Sequence, residues 1–334
     1  MLLSSIAIYC SSTQGLACSL IMNTNKQGTF VGRTMEWYAP LNTRLAVYPA
    51  NYSISDSGIG TDTVKNWVSK YGAVIIEEIS EENIAASDGV NEKGLTAHIL
   101  FQDETRMPPR IVNKPAIEVF AWVKYVLTTC SSVKEVLQDM DNYQIVATAP
   151  NYQGKKLYAP EHFAVNDASG DAAIIEFIGG KIQIYHGPQY TVMTNEPNLP
   201  AQQANLKKIK RVKKQYSVSK LPGGADSKNR FVRASFFMES MPQPVSSIQG
   251  VAYMQEALDG LTVPTYDEKK HPNSPEGDAW EARWRVVYNL KDLTLYFSQN
   301  DTGKKIYLKI SNVNFKNKTV KYIELKGIKS DYDI

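Results

Sequence analysis

Strand-like and helix-like stretches fall in blocks along this chain, and no repeat or strict βα alternation runs through it. Parallel sheets need a crossover, usually a helix, between successive strands. The block order therefore points to a layered α+β fold with largely antiparallel sheets. β-prone runs occur at 18–22 and 29–37, around the break Asn23-Thr24-Asn25-Lys26-Gln27-Gly28, and again at 45–48, 73–77 and 96–101. An apolar stripe of Ile117, Phe120, Ala121, Val123, Val126 and Leu127 predicts a helix over 113–128, with Pro115 in its first turn, and a second helix runs from Ser131 or Ser132 to Met140. Strands follow at 163–165, 172–178, 181–186 and 191–194, then helices over 201–216, from Asn229 onward and over 245–258. A hairpin over 280–297 and closing strands at 305–310 and 320–325 complete the order, and the Pro-, Gly- and charge-rich stretch 262–279 reads as an exposed loop. With 334 residues, 43% of them apolar, and no linker, residues 18–334 are expected to form one domain.

A net charge of +3 gives no reason to expect nucleic acid as a partner, which leaves small molecules. Lys207, Lys208, Lys210, Arg211, Lys213 and Lys214 form the notable basic cluster, but no aromatic residues interleave it, so it reads as a solvated helix face. No run after the first residues approaches the roughly 20 apolar residues of a membrane span.

Residues 1–17 carry an apolar run from Leu2 to Tyr9 and end Gly15-Leu16-Ala17, with small residues at −3 and −1 relative to a cut before Cys18. This is an export-signal pattern, although its start lacks Lys or Arg, and a buried first strand is the other reading. Export predicts a periplasmic or secreted protein. Cys10 would leave with the leader, and Cys18 and Cys130, 112 positions apart, make no disulfide framework. Cys130 reads as core. The predicted first hairpin returns Arg33 and Glu36 towards Cys18, where a cation favours thiolate and a carboxylate can accept from an ammonium or thiol. A surface ion pair between Arg33 and Glu36 is the alternative.

The four histidines, His98, His162, His186 and His271, show no metal-ligand spacing, and no phosphate-binding glycine loop is present, so no metal or cofactor is expected. A histidine-dependent cysteine protease lacks a local signature. Cleavage before Cys18 would place a thiol and a free α-amine on one residue, and such an amine titrates near 7.7–8.0, a range suited to a general base.

Cys18, the run Gly32-Arg33-Thr34-Met35-Glu36-Trp37, the turn Asn91-Glu92-Lys93-Gly94-Leu95, His162-Phe163 with Asp167 and Gly170, Met193-Thr194-Asn195 with Pro197, and Asn229-Arg230-Phe231-Val232-Arg233 occur in this order. Together, over about residues 18–297, they resemble the choloylglycine hydrolase family of bile salt hydrolases and penicillin V acylases, and look most similar to the Gram-negative penicillin V acylases. The resemblance implies a four-layer αββα N-terminal nucleophile hydrolase sandwich, hydrolysis of a small-molecule linear amide and a homotetramer. It assigns Cys18 as nucleophile, its α-amine as base, Arg33 and Arg230 as flanking cations, and Asn195 with the Phe101 backbone N–H as oxyanion donors. Glu36 stands where the family has Asp. Trp37 and Phe101 suggest an aromatic or fatty acyl group, as in penicillin V or N-acyl homoserine lactones. A bile salt hydrolase is the alternative substrate reading, and a non-catalytic ligand-binding homologue impaired at Glu36 is the alternative of another class.

Overall fold

The computed structural model describes residues 18–325 except 38, 56–62, 65, 81–82, 148–150, 153–154, 157–159, 213–215 and 266–279. The chain opens with β1 (Ser19–Asn25), β2 (Gly28–Glu36) and β3 (Thr43–Tyr48), then a small ribbon of β4 (Ser53–Ser55) and β5 (Asn66–Val68). Next come β6 (Ala73–Ile79), β7 (Ile84–Asn91), β8 (Thr96–Phe101) and the short β9 (Ala116–Glu118), followed by helices α1 (Trp122–Thr129) and α2 (Val133–Asp139). The middle holds β10 (Gln144–Val146), β11 (Asn151–Tyr152), β12 (Lys155–Lys156), β13 (Glu161–Asn166), β14 (Ala172–Ile178), β15 (Lys181–His186) and β16 (Val192–Thr194). Helices α3 (Leu199–Arg211), α4 (Ser227–Ser240) and α5 (Ser247–Asp259) precede β17 (Ala282–Asn289), β18 (Thr294–Gln299), β19 (Lys305–Lys309) and β20 (Lys321–Glu324).

Two antiparallel sheets form the centre. One has the order β16-β1-β2-β17-β18-β19 and the other β15-β14-β13-β8-β7-β6-β3-β20. Helices α4 and α5 cover the outer face of the first, α1 covers the outer face of the second, and the result is an αββα sandwich. Strand periodicity explains how one segment serves two cores: Val74 and Ile76 join the core between the sheets, while Ala73 and Ile75 join the core under α1. Ala164 and Ile174 likewise face inward, and Phe163 and Ile175 face α1. Strands buried on both faces read as continuous apolar runs, which is why 73–76 and 172–175 show little alternation.

Local chemistry sets several element ends. Ser132 accepts from the Glu135 N–H and Asp167 Oδ2 accepts from the Val133 N–H at 3.0 Å, so α2 starts with two of its orphan donors satisfied. The turn expected at Asn91 to Gly94 joins β7 to β8 with Gly94 at φ +79°. Asn91 Nδ2 donates to the carbonyls of Leu127 (2.9 Å) and Cys130 (2.7 Å), which fastens that turn to the end of α1.

The helix expected over 113–128 begins only at Trp122. Residues 116–118 form β9, parallel to β10, so strand pairing takes the backbone groups that a first helical turn would have used. Glu118 Oε2 accepts from the Phe120 N–H at 2.7 Å and turns the chain towards α1. The helix expected over 201–216 ends at Arg211. The leader over 1–17 and most of the loop over 262–279 lie outside the described residues. Among the described residues, no helix is long and apolar enough to cross a membrane.

Candidate active site

Alternation along β1 and β2 builds the site. Ser19 pairs with Thr34 and Leu20 with Arg33, so one further step sets Cys18 opposite Met35. Side chains two apart share a face. Cys18, Arg33 and Met35 therefore point between the sheets, and Ser19, Thr34 and Glu36 point towards α4. The Cys18 Sγ lies 3.7 Å from Met35 Sδ and 3.8 Å from the Glu36 carbonyl oxygen. Burial pushes the thiol's pKa up, against the pull of Arg33 and Arg230.

Arg33 is fully buried and ties the sheets together. Its Nη1 donates to the Ser87 carbonyl (2.5 Å) and Asp88 Oδ2 (2.8 Å), and its Nη2 donates to the Ile99 carbonyl (2.6 Å). The Ser87 carbonyl is available because β7 bulges there: Glu77 pairs with Ala86 and Ile76 with Asp88, leaving Ser87 without a register partner. Asp88 also accepts from Tyr288 Oη at 2.5 Å and meets His98 Nδ1 at 2.7 Å. Burial opposes ionisation of Asp88, yet His98, Arg33 and Tyr288 outweigh it and hold the carboxyl below its usual range. The surface ion pair between Arg33 and Glu36 is thus not formed: both residues are buried, on opposite faces of β2, and Arg33 pairs with Asp88.

Glu36 Oε2 accepts from Thr34 Oγ1 at 2.9 Å, and Thr34 Oγ1 accepts in turn from the Ser19 N–H at 3.2 Å. Burial raises the Glu36 pKa to about 8, against Arg230 and the Thr34 bond. From the first complete turn of α4, which Asp226 caps, Arg230 donates through Nη1 to the Cys18 carbonyl (2.5 Å) and Ser19 Oγ (2.7 Å), and through Nη2 to Asn195 Oδ1 (2.9 Å). With its oxygen held by a guanidinium, the Asn195 amide must turn its nitrogen the other way, and Nδ2 donates to the Phe101 carbonyl at 2.8 Å.

The β8–β13 register orients Phe101. Gln102 N–H bonds the Pro160 carbonyl, so the next residue pair, Phe101 and Glu161, is non-hydrogen-bonded. Phe101 thus directs its N–H and C=O to the opposite edge of β8, beyond its last β7 partner. That edge faces Asn195.

Cys18, Arg33, Met35, Trp37, Ile99, Phe101 and Phe120 line a cavity of about 140 Å³, with Glu78 and Glu161 also in its wall. Trp280 stands edge-on to Trp37 and Phe101, with ring centroids 5.3 and 6.3 Å apart. The structure thus brings together all seven residues singled out in the sequence: Cys18, Arg33, Glu36, Trp37, Phe101, Asn195 and Arg230. It adds Met35, Asp88, His98, Tyr288, Glu161 and Trp280. Of these only Met35 was accessible to period-two reasoning, two residues beyond Arg33 on the same strand.

Comparison with known proteins places the chain among amide hydrolases of this fold. Residues 17–326 match the family of linear amide C–N hydrolases described as the choloylglycine hydrolase family. The chain is 30% identical over 331 residues to the penicillin V acylase of Pectobacterium atrosepticum, covering 94% of this chain and 86% of that protein. It is 23% identical over 252 residues to the bile salt hydrolase/transferase of Clostridium perfringens, covering 67% and 72% of the two chains. The solved penicillin V acylase from Agrobacterium tumefaciens superposes with a TM-score of 0.77 at 29% identity, over 92% of this chain and 91% of that one. A conjugated bile acid hydrolase from Clostridium perfringens shares the fold, with a TM-score of 0.77 at 18% identity over 95% and 100% of the chains.

Proposed function

The chain belongs to the choloylglycine hydrolase family of linear amide C–N hydrolases, and from that premise we propose that it is an exported acylase, of the penicillin V acylase kind, whose nucleophile is the thiol of Cys18. The observation that carries this reading is the position of that thiol: it opens into an aromatic-walled cavity beside Arg33, with the Asn195 amide and the Phe101 N–H directed to the same end.

Removal of residues 1–17 frees the α-amine of Cys18, which takes the thiol proton as the sulfur attacks the substrate carbonyl. Carrying the β1–β2 register past Ser19 and Thr34 brings Glu36 level with that nitrogen, so its carboxylate receives the new ammonium. Asn195 Nδ2 has two hydrogens; one is spent on the Phe101 carbonyl, and the other, with the Phe101 N–H, stabilises the oxyanion. Each such donor is worth about 10²–10³ in rate in other acyl-transfer sites. Arg230 fixes Asn195 from behind, and Arg33 and Arg230 favour charge on sulfur. The amine product leaves after protonation by the same ammonium, and water activated by the α-amine hydrolyses the thioester.

Trp37, Phe101 and Trp280 suit a phenoxyacetyl or fatty acyl group, so penicillin V or N-acyl homoserine lactones are preferred over conjugated bile salts. The family resemblance further suggests a homotetramer, and the leader a periplasmic or secreted site. Intact mass and N-terminal sequencing of the purified protein, with turnover of penicillin V against glycocholate, test the reading. Cys18→Ala is expected to abolish hydrolysis; retained activity, or an active enzyme that still starts at Met1, would sink it.

A further inference from the structure

Glu161 lies opposite Phe101 in the β8–β13 ladder, so the two side chains leave the sheet on one face. Both line the cavity into which Cys18 opens. The Glu161 side chain forms no hydrogen bond with a described residue; only its backbone carbonyl is used, by Thr105 Oγ1 at 3.0 Å. The residue is 6% exposed. Glu78, in the same wall, is different, because its oxygens already accept from Thr43, Trp284 and Ser87. A buried polar group without a partner costs stability. Such a cost is understandable in a cavity wall, where a ligand supplies the missing partner. Burial pushes the Glu161 carboxyl's pKa well above its usual range, with Arg33 pulling it down and Glu118 adding to the rise, which favours the protonated form that can donate a hydrogen bond.

We propose that Glu161 is a specificity-determining residue that hydrogen-bonds an ether or keto oxygen on the acyl chain, two or three bonds beyond the scissile carbonyl. The distance follows from the ladder. Directly opposed residues hold their Cβ atoms about 4.5–5.5 Å apart, and Phe101 flanks the position of the reacting carbonyl. The proposal rests on the acylase reading of the Cys18 site and deepens it, because a purely apolar cavity would not distinguish an oxygen from a methylene.

Two matched pairs of p-nitroanilides test this: phenoxyacetyl against 3-phenylpropanoyl, which differ by oxygen for CH₂, and 3-oxooctanoyl against octanoyl. The first pair probes an ether oxygen and the second a keto oxygen. For wild-type enzyme the oxygen-bearing member of at least one pair is expected to have the higher kcat/KM, by about ten-fold, as one well-placed hydrogen bond allows. Glu161→Leu should reduce that ratio to near one, and Glu161→Gln, which keeps an N–H donor, should retain most of it. A ratio taken within one variant does not depend on how much of the protein is folded. Wild-type ratios near one in both pairs, or a Leu variant that keeps the wild-type ratio, overturn the role of Glu161 while leaving the acylase reading intact. Turnover of neither pair by wild-type enzyme overturns both.

Discussion

At the scale of single residues, the carboxyl of Glu36 is the most informative group, since it is buried and its pKa is raised from an ordinary 4.5 to about 8. In an unfolded precursor it ionises near the ordinary value, so between these two pH values the folded state holds more protons than the unfolded state. The stability tied to its neutral form is complete below about 4.5 and is lost as pH rises through about 8. A shift of this size amounts to a few kcal/mol, at about 1.4 kcal/mol per unit. Urea midpoints of the chain carrying residues 1–17 should therefore fall between pH 5 and pH 8, and the fall should shrink in Glu36→Gln. Parallel profiles for the two proteins would show that Glu36 is ionised throughout. After processing, a neighbouring ammonium would pull the Glu36 pKa down, and the fall should be smaller there too. Cys130, by contrast, is buried with its pKa pushed up to about 11 and packs in the core under α1, as its sequence context suggested.

At the scale of elements, the site depends on two strands from different sheets held together by charge. Arg33 from β2 reaches Asp88 on β7, and Tyr288 from β17 reaches the same carboxylate. Asp88→Asn leaves a buried guanidinium without its anionic partner and is expected to cost about 3–5 kcal/mol, with kcat falling in the fraction that folds. Tyr288→Phe removes one hydrogen bond to a charged group and should cost about 1.5–3 kcal/mol. Chemical denaturation of the two variants checks the order; equal losses would mean that Arg33 is not held by Asp88. The neighbouring Gly89 lets α1 approach β7: a Cβ there would sit 2.7 Å from the Val74 carbonyl oxygen and 2.8 Å from Leu127 Cδ1. Gly89→Ala is expected to destabilise by about 1–3 kcal/mol, read as a lowered midpoint. An unchanged midpoint would show that α1 shifts freely on the sheet.

At the scale of the whole molecule, the order of events matters. While residues 1–17 are attached, the Cys18 nitrogen is an amide and has no base function, so cleavage is expected to be the activation step. Ala17→Leu, which removes the small residue before the cut, should accumulate as an inactive precursor, visible by intact mass. An uncleaved precursor with wild-type turnover would remove the α-amine from the mechanism.

Much of this architecture was legible along the chain because its signals are local. Block order excluded an alternating α/β fold, and the Asn/Gly-rich break marked the β1–β2 hairpin, whose return brings Arg33 and Glu36, on opposite faces of β2, back towards Cys18. Family-like motifs named Asn195, Arg230, Phe101 and Trp37. Tertiary structure decided what joins across distance: Arg33 to Asp88, 55 residues on, Arg230 to the Cys18 carbonyl, 212 residues back, and Glu161 opposite Phe101. It also turned residues 116–118 from a predicted helix into a strand, because a pairing partner arrived from residues 144–146. Periodicity records which side chains share a face of one element. It carries no record of which face of another element they meet, and the burial and charge pairing that give the candidate site its chemistry arise only from that meeting.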